Sequence, residues 1–395
     1  MSLTKESIRN FLLNQWTPLV VYALLAIIAS VQAILVGPHI FGGHVYTDYN
    51  NYVIFRQSFF HLIRGTNIYM LYPAEQWDLY KYSPTFALFM GSLAYLPDMI
   101  GLSIWNLLNA FVLFAAIRIL RFKKDTQVLL LWFVLLELLT SIQNAQSNGL
   151  MAGLMIGAYA CMERGKIGMA TLWIVIATFI KVYGAVGFVL FLFYPDKIKF
   201  ILYSALWSVL FAITPLVVMP FNTLIWQYHN WVVMMGEDQS ASYGLSVMGW
   251  LHSWFGVNEG GKGVVSLIGI LLFLIPFARW KLYKDDVYKL LILAFMLIWV
   301  IIFNHKAESP TYIIAVAGAG IWYFSMPVKM WRSILLTVIF IFTCLSPTDI
   351  FPPSLRHNFC VPYTIKAIPC ILLWCVIWVE LMTMKKGEYP AVAHE

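Results

Sequence analysis

A chain of 395 residues in which 61% are hydrophobic and 11% charged departs from a soluble domain, where roughly 25% are charged. The bilayer is its solvent. A formal charge of +7 with pI near 9.0 could point to nucleic acid, but the basic residues stand in short clusters between apolar runs, the arrangement that orients membrane proteins, so no nucleic-acid partner is expected.

Taken in chain order, Lys5 and Arg9 precede an apolar run from Leu19 to Val36. No small-residue cleavage site follows, so the run is expected to remain as a first span. A helix needs roughly 17 to 25 apolar residues to cross the hydrocarbon. On that criterion, with shorter runs admitted, spans are expected at 18–37, 101–119, 126–142, 148–162, 167–180, 182–195, 200–219, 263–279, 287–303, 309–327, 332–346 and 366–384. The predicted fold is an all-α polytopic membrane protein of about twelve helices, a single transmembrane domain over 1–395. Residues 389–395 read as a loose tail. The five cysteines (Cys161, Cys344, Cys360, Cys370 and Cys375) lack metal-ligand spacing and are read as small hydrophobes.

The stretch 84–96 is too short to span and is bracketed by prolines, so it is expected to lie at the outer surface or dip partway in. Excluding it places eighteen of the 26 Lys and Arg residues inside and eight outside, as the positive-inside rule requires. Both termini are then cytoplasmic. The first extracytoplasmic loop covers 38–100, and at 50–62 Tyr52, Phe55, Phe59 and Leu62 recur near helical spacing, predicting a second interfacial helix.

Ionisable and amide residues gather on this outer side. Asp48, in Tyr46-Thr-Asp-Tyr-Asn-Asn-Tyr52, could be a general base tuned by its aromatic neighbours or the N-cap of the helix that follows. Lys181 follows a largely apolar run and could bind phosphate at the outer boundary or simply snorkel. Gln143-Asn-Ala-Gln-Ser-Asn148 offers amides suited to sugar hydroxyls, or helix termination. Asn304-His-Lys-Ala-Glu308 brings His305, Lys306 and Glu308 into one short turn, for coupled acid, base and phosphate-binding roles or as a solvated turn with screened charges. No DxD, Walker A, GxGxxG, HExxH or GxSxG element is present, which argues against soluble-type nucleotide-sugar enzymes, ATPases and zinc proteases. No metal and no cofactor is expected.

Together these segments resemble the integral-membrane glycosyltransferases of the GT-C superfamily, and within it glycosyltransferase family 87, which includes polyprenyl-phosphate-mannose-dependent mannosyltransferases. The likeness rests on Asp48-Tyr49, Gly65-Thr-Asn-Ile-Tyr69, Tyr80-Lys-Tyr82-Ser-Pro84, Asn144-Ala-Gln146-Ser-Asn148, Ile180-Lys181-Val182 and, in a late outer loop, His305. Two positions depart: Ala145 stands where the family has glycine, and Val182 where it has proline. The resemblance implies a GT-C-like fold and an enzyme of a cell membrane, the bacterial cytoplasmic membrane in particular. Its partners are a polyprenyl-phosphate sugar as donor, a lipid or glycan acceptor, and membrane lipids. It implies Asp48 as general base in an inverting displacement, and Lys181 with His305 or Lys306 on the donor phosphate. Tyr49, Tyr82, Asn144, Gln146, Asn148 and Glu308 would contact sugar or acceptor. A transporter or flippase for a lipid-linked glycan, and a ligase using a diphosphate carrier, would share this topology.

Overall fold

The structure is a computed structural model that describes residues 5–237 and 242–389; of the expected tail, residues 390–395 lie outside them. A short helix α1 (Lys5–Leu13) leads into α2 (Thr17–Val36), then a hairpin of β1 (His39–Phe41) and β2 (His44–Tyr46). Three helices, α3 (Asn50–Ile63), α4 (Pro84–Phe89) and α5 (Gly91–Ala94), precede α6 (Asp98–Arg118), α7 (Lys124–Gln143), α8 (Asn148–Glu163) and α9 (Ile167–Ile180). A 3₁₀ stretch, Val182–Phe193, returns along α9 and is followed by α10 (Lys197–Ile213), α11 (Phe221–Glu237), α12 (Val247–Phe255) and α13 (Lys262–Leu274). The chain closes with α14 (Asp286–Ile302), α15 (Tyr312–Phe324), α16 (Met330–Ile339), α17 (Pro353–Leu355) and α18 (Ile368–Thr383).

Four helices among the described residues are each long and apolar enough to cross a membrane: Thr17–Val36, Asp98–Arg118, Lys124–Gln143 and Lys197–Val217. The remaining apolar helices are shorter. The bilayer explains which faces are left bare. On α10, Ile201, Leu202 and Val209 are more than half exposed, an apolar surface that water would penalise and lipid does not. By contrast α8, α14 and α15 are buried almost throughout and form the centre. Close packing there depends on small residues, as in other membrane bundles. A Cβ on Gly153 of α8 would stand 2.7 Å from the carbonyl carbon of Val112 in α6, so only glycine lets these two backbones meet.

Above this bundle α3 buries Tyr52, Phe55, Phe59 and Leu62. The Phe55 ring packs edge-on against Tyr82, Phe86 and Trp105. The 84–96 stretch forms two pieces, broken at Met90, whose 11 residues from Pro84 to Ala94 reach about 16 Å, roughly half a hydrocarbon core. Ser83 fixes the start of α4: its Oγ accepts from the Phe86 N–H at 3.1 Å and donates to the Phe179 carbonyl at 2.5 Å. That second bond ties the segment to the end of α9.

Midway along α7, Glu137 meets Lys366 at 2.6 Å, both side chains buried. Lys366 also lies 5.2 Å from the Tyr312 ring centroid, and its carbonyl accepts from Thr343 Oγ1 at 2.9 Å. This pair fastens the entry to α18 onto α7. Removing one partner of a buried pair strands a charge, whereas replacing both by apolar groups is often neutral or better. Glu137→Gln is therefore expected to lower unfolding stability by about 3–5 kcal/mol, and Glu137→Leu with Lys366→Met to recover most of it, as read by thermal unfolding of the purified protein in detergent.

Candidate active site

The turn that ends α7 decides where a site can form. After the C-cap Asn144, Ala145 takes a left-handed conformation, φ 49°. Its N–H donates to the Ile142 carbonyl at 2.9 Å, and the Gln146 N–H donates to Ser141 at 3.1 Å. These two bonds make a Schellman motif. An L-residue pays roughly 1–2 kcal/mol for that backbone, which accounts for the glycine of the family pattern. Ala145 adopts it nonetheless, held by Trp105 Nε1 donating to its carbonyl at 2.9 Å. The reversal buries Gln146 and Asn148 instead of leaving them in solvent.

Lys181 approaches from the opposite wall, in the turn between α9 and the 3₁₀ stretch. Its backbone is extended, φ −136° and ψ 124°, the conformation that a following proline would also impose, so Val182 keeps the turn that proline would give. The two walls are joined by one chain of hydrogen bonds. Lys181 Nζ donates to Asn148 Oδ1 at 2.7 Å, Asn148 Nδ2 to Gln146 Oε1 at 2.5 Å, and Gln146 Nε2 to Glu308 Oε2 at 2.6 Å. The amides thus connect an ammonium to a carboxylate without either side chain touching the other.

This chain backs a cavity of about 950 Å³ lined by Tyr82, Gln146, Lys181, His305, Lys306 and Glu308, together with Asn51, Asp78, Lys81, Tyr183, Lys262 and Asn304. Four lysines against two carboxylates give the chamber a positive balance. A second, more apolar groove of about 280 Å³ shares Tyr183, Ser266, Asn304 and His305 with it and continues along Ile270, Trp299, Val300 and Phe303. The turn carrying His305 and Lys306 is propped from behind. Leu245 N–H donates to Ala307 O at 2.7 Å, and a Cβ on Gly244 (φ 57°) would lie 2.6 Å from His305 O, so a side chain there would push the turn into the cavity.

The expected residues divide accordingly. Tyr82, Gln146, Lys181, His305, Lys306 and Glu308 share the cavity, and Asn148 lies buried just behind its wall. Asn144 does not line it: its side chain folds back onto Thr140 O at 2.8 Å, while its carbonyl accepts from Asn51 Nδ2. Tyr49 is buried elsewhere, its hydroxyl 3.4 Å from Asp98 Oδ2. Asp48 is exposed one turn before Asn51. It does not act as a helix cap, because the N-cap of α3 is Tyr49 and no side chain caps it. Among the described residues its carboxylate has no hydrogen-bond or ion-pair partner. Asp78 and Lys262 were not singled out in the sequence. Asp78 stands two residues before the Tyr80 motif and could have been found from it; Lys262 carries no such signal. Among the described residues no group of three His, Cys, Asp or Glu is placed to hold a metal ion.

The sequence model of glycosyltransferase family 87 matches residues 80–347, over half of the chain, including every cavity residue just named from Tyr82 to Glu308. The chain belongs to glycosyltransferase family 87. No curated protein matches it. Asp48 and Tyr49 precede the matched residues, as do Asn51 and Asp78 of the cavity lining.

Burial of the Lys181 ammonium lowers its pKa to about 8, with the Glu308 carboxylate pulling the other way. Its charge is therefore present below that pH and lost above it. In the transferase carrying isotopically methylated lysines, the resonance missing from Lys181→Arg should titrate near pH 8, and Glu308→Gln should move that midpoint lower, since it removes the charge that favours the protonated amine.

Proposed function

We propose that this glycosyltransferase moves a hexosyl unit, mannose in the first instance, from a polyprenyl-phosphate carrier to an acceptor hydroxyl on the extracytoplasmic side of a cell membrane. The observation that carries the reading is the polar, positively charged chamber running into an apolar groove through four shared residues. A donor with a phosphate-sugar head and a hydrocarbon tail has the same two-part chemistry. A nucleotide sugar would leave the apolar part without purpose.

Lys181 is the proposed phosphate ligand. As the glycosidic C–O bond breaks, the electron pair stays on the carrier phosphate, and an ammonium already fixed by Asn148 stabilises that charge without further reorganisation. His305 and Lys306 on the facing turn are the proposed second contacts to the phosphate. Gln146 and Glu308, with Tyr82, would orient the sugar.

Asp48 is the proposed general base, taking the acceptor proton as the acceptor oxygen attacks the anomeric carbon opposite the phosphate, with inversion. Its support is a contrast with the two carboxylates that line the chamber, Asp78 and Glu308. Asp78 accepts from Leu79 N at 2.7 Å and Lys81 Nζ at 2.9 Å, and Glu308 accepts from Gln146. Of these three, Asp48 alone keeps both oxygens uncommitted among the described residues, three positions before the cavity-lining Asn51.

Purified enzyme incubated with a panel of polyprenyl-phosphate and polyprenyl-diphosphate sugars, with products read by mass spectrometry, tests the donor. Transfer from monophosphate carriers is expected. Use of the diphosphate alone, or lipid translocation without bond cleavage, would refute the proposal. With the monophosphate donor, Asp48→Asn should lower transfer by about 10²- to 10⁴-fold while donor binding is retained; full activity in that variant, with loss in Asp78→Asn, would move the base to Asp78. Lys181→Met should lower turnover by about 10²- to 10³-fold.

A further inference from the structure

The far end of the bundle holds a second polar cavity that the transfer reaction does not use. It has a volume of about 490 Å³ and lies where α6 ends, α7 begins and α8 ends. The 20 residues of α7 separate it from the amide turn by about 30 Å. Arg118, Arg121, Lys124 and Arg164 line it with Gln127, over a floor of buried Leu120 and Phe122, and no carboxylate lines it.

Most of this charge is not neutralised from within. Arg118 donates to two neutral amides, Gln127 Oε1 and Gln15 Oε1, each at 2.7 Å. Arg164 donates to the carbonyls of Ile119 and Ala160. Lys124 is exposed, with no ion-pair partner among the described residues. Among the described residues only Arg121 of the four meets a carboxylate, Glu163 at 3.2 Å, and Glu163 is shared with Lys289 at 2.6 Å. Like charges gathered around one hollow repel unless an anion fills it. The first turn of α7 adds amide N–H groups without a side-chain cap.

We propose that this cavity binds the phosphate of an anionic membrane lipid. The position favours a lipid over a soluble anion: the cavity sits at the ends of two helices long and apolar enough to cross a membrane, at the depth of a headgroup. Gln15, which holds Arg118, also belongs to a segment whose neighbours Phe11, Leu12 and Trp16 are exposed, an apolar shelf for acyl chains beside the charged hollow. Such a lipid would neutralise the junction of α6, α7 and α8 and brace these three helices against one another.

Full-length protein in bilayers containing phosphatidylglycerol, and in bilayers of phosphatidylcholine alone, is released and the retained lipid counted by native mass spectrometry. Phosphatidylglycerol should be retained selectively. Each cavity cation removed should weaken retention about fivefold, so Lys124→Gln is expected to lose about fivefold and Lys124→Gln with Arg164→Gln about 25-fold. Lys123→Gln makes the same charge change beside the cavity and should alter retention by less than about twofold, because Lys123 does not line it and charge outside the hollow is screened. Equal loss in Lys123→Gln and Lys124→Gln would overturn the site in favour of diffuse attraction. Equal retention of the two lipids would overturn it as well. Thermal protection by inorganic phosphate that is lost in the double variant, without selective lipid retention, would overturn the lipid assignment. Lys124 makes no structural bond, so the single variant keeps the test valid if the double one fails to fold.

Discussion

One constraint organises the molecule: a lysine ammonium has to be held in the wall of an apolar bundle. Burying a charge costs several kcal/mol unless hydrogen bonds compensate. Lys181 is compensated by a neutral amide rather than by a carboxylate in direct contact, so its attraction for an external anion is not spent on an internal salt bridge. Asn148 and Gln146 pass the interaction on to Glu308. That solution demands an amide-rich turn placed opposite α9, which in turn demands the left-handed residue at Ala145 and the close α6 and α8 packing that seats the turn.

Helix α7 is the member on which three electrostatic features meet. Its first turn opens onto the basic cavity, Glu137 near its middle pairs with Lys366, and its last turn becomes the amide relay. A single rigid element thus sets the spacing between a charged far end, a buried ion pair and the chamber.

The chamber divides labour between fixed and uncommitted groups. Gln146, Asn148 and Lys181 bond one another, and Asp78 is held by Lys81 and a backbone amide, so their geometry is set before any substrate arrives. Such preorganisation is what lets charged groups act without rearrangement. Asp48 has no such restraint and stands outside the wall on a segment that precedes the family match.

The membrane character, the amide run and the lysine at the end of α9 were legible in the sequence, because hydropathy and helix termination are local properties encoded in neighbouring residues. The family resemblance was also legible, since its motifs are short and keep their order. Which of those residues meet was not. Gln146 and Glu308 are 162 positions apart, and Lys181 and Asn148 are 33 apart. The sequence placed Asn144 beside its amide neighbours and Lys366 at the outer end of the expected span 366–384, yet one turns back onto its own helix and the other reaches the buried Glu137. Asp78 and Lys262 became cavity residues only through the packing of α3, α13 and the 304–308 turn. Chain order determines what each helix can offer; how ridges, small residues and buried charges are satisfied between helices decides which offers face one another.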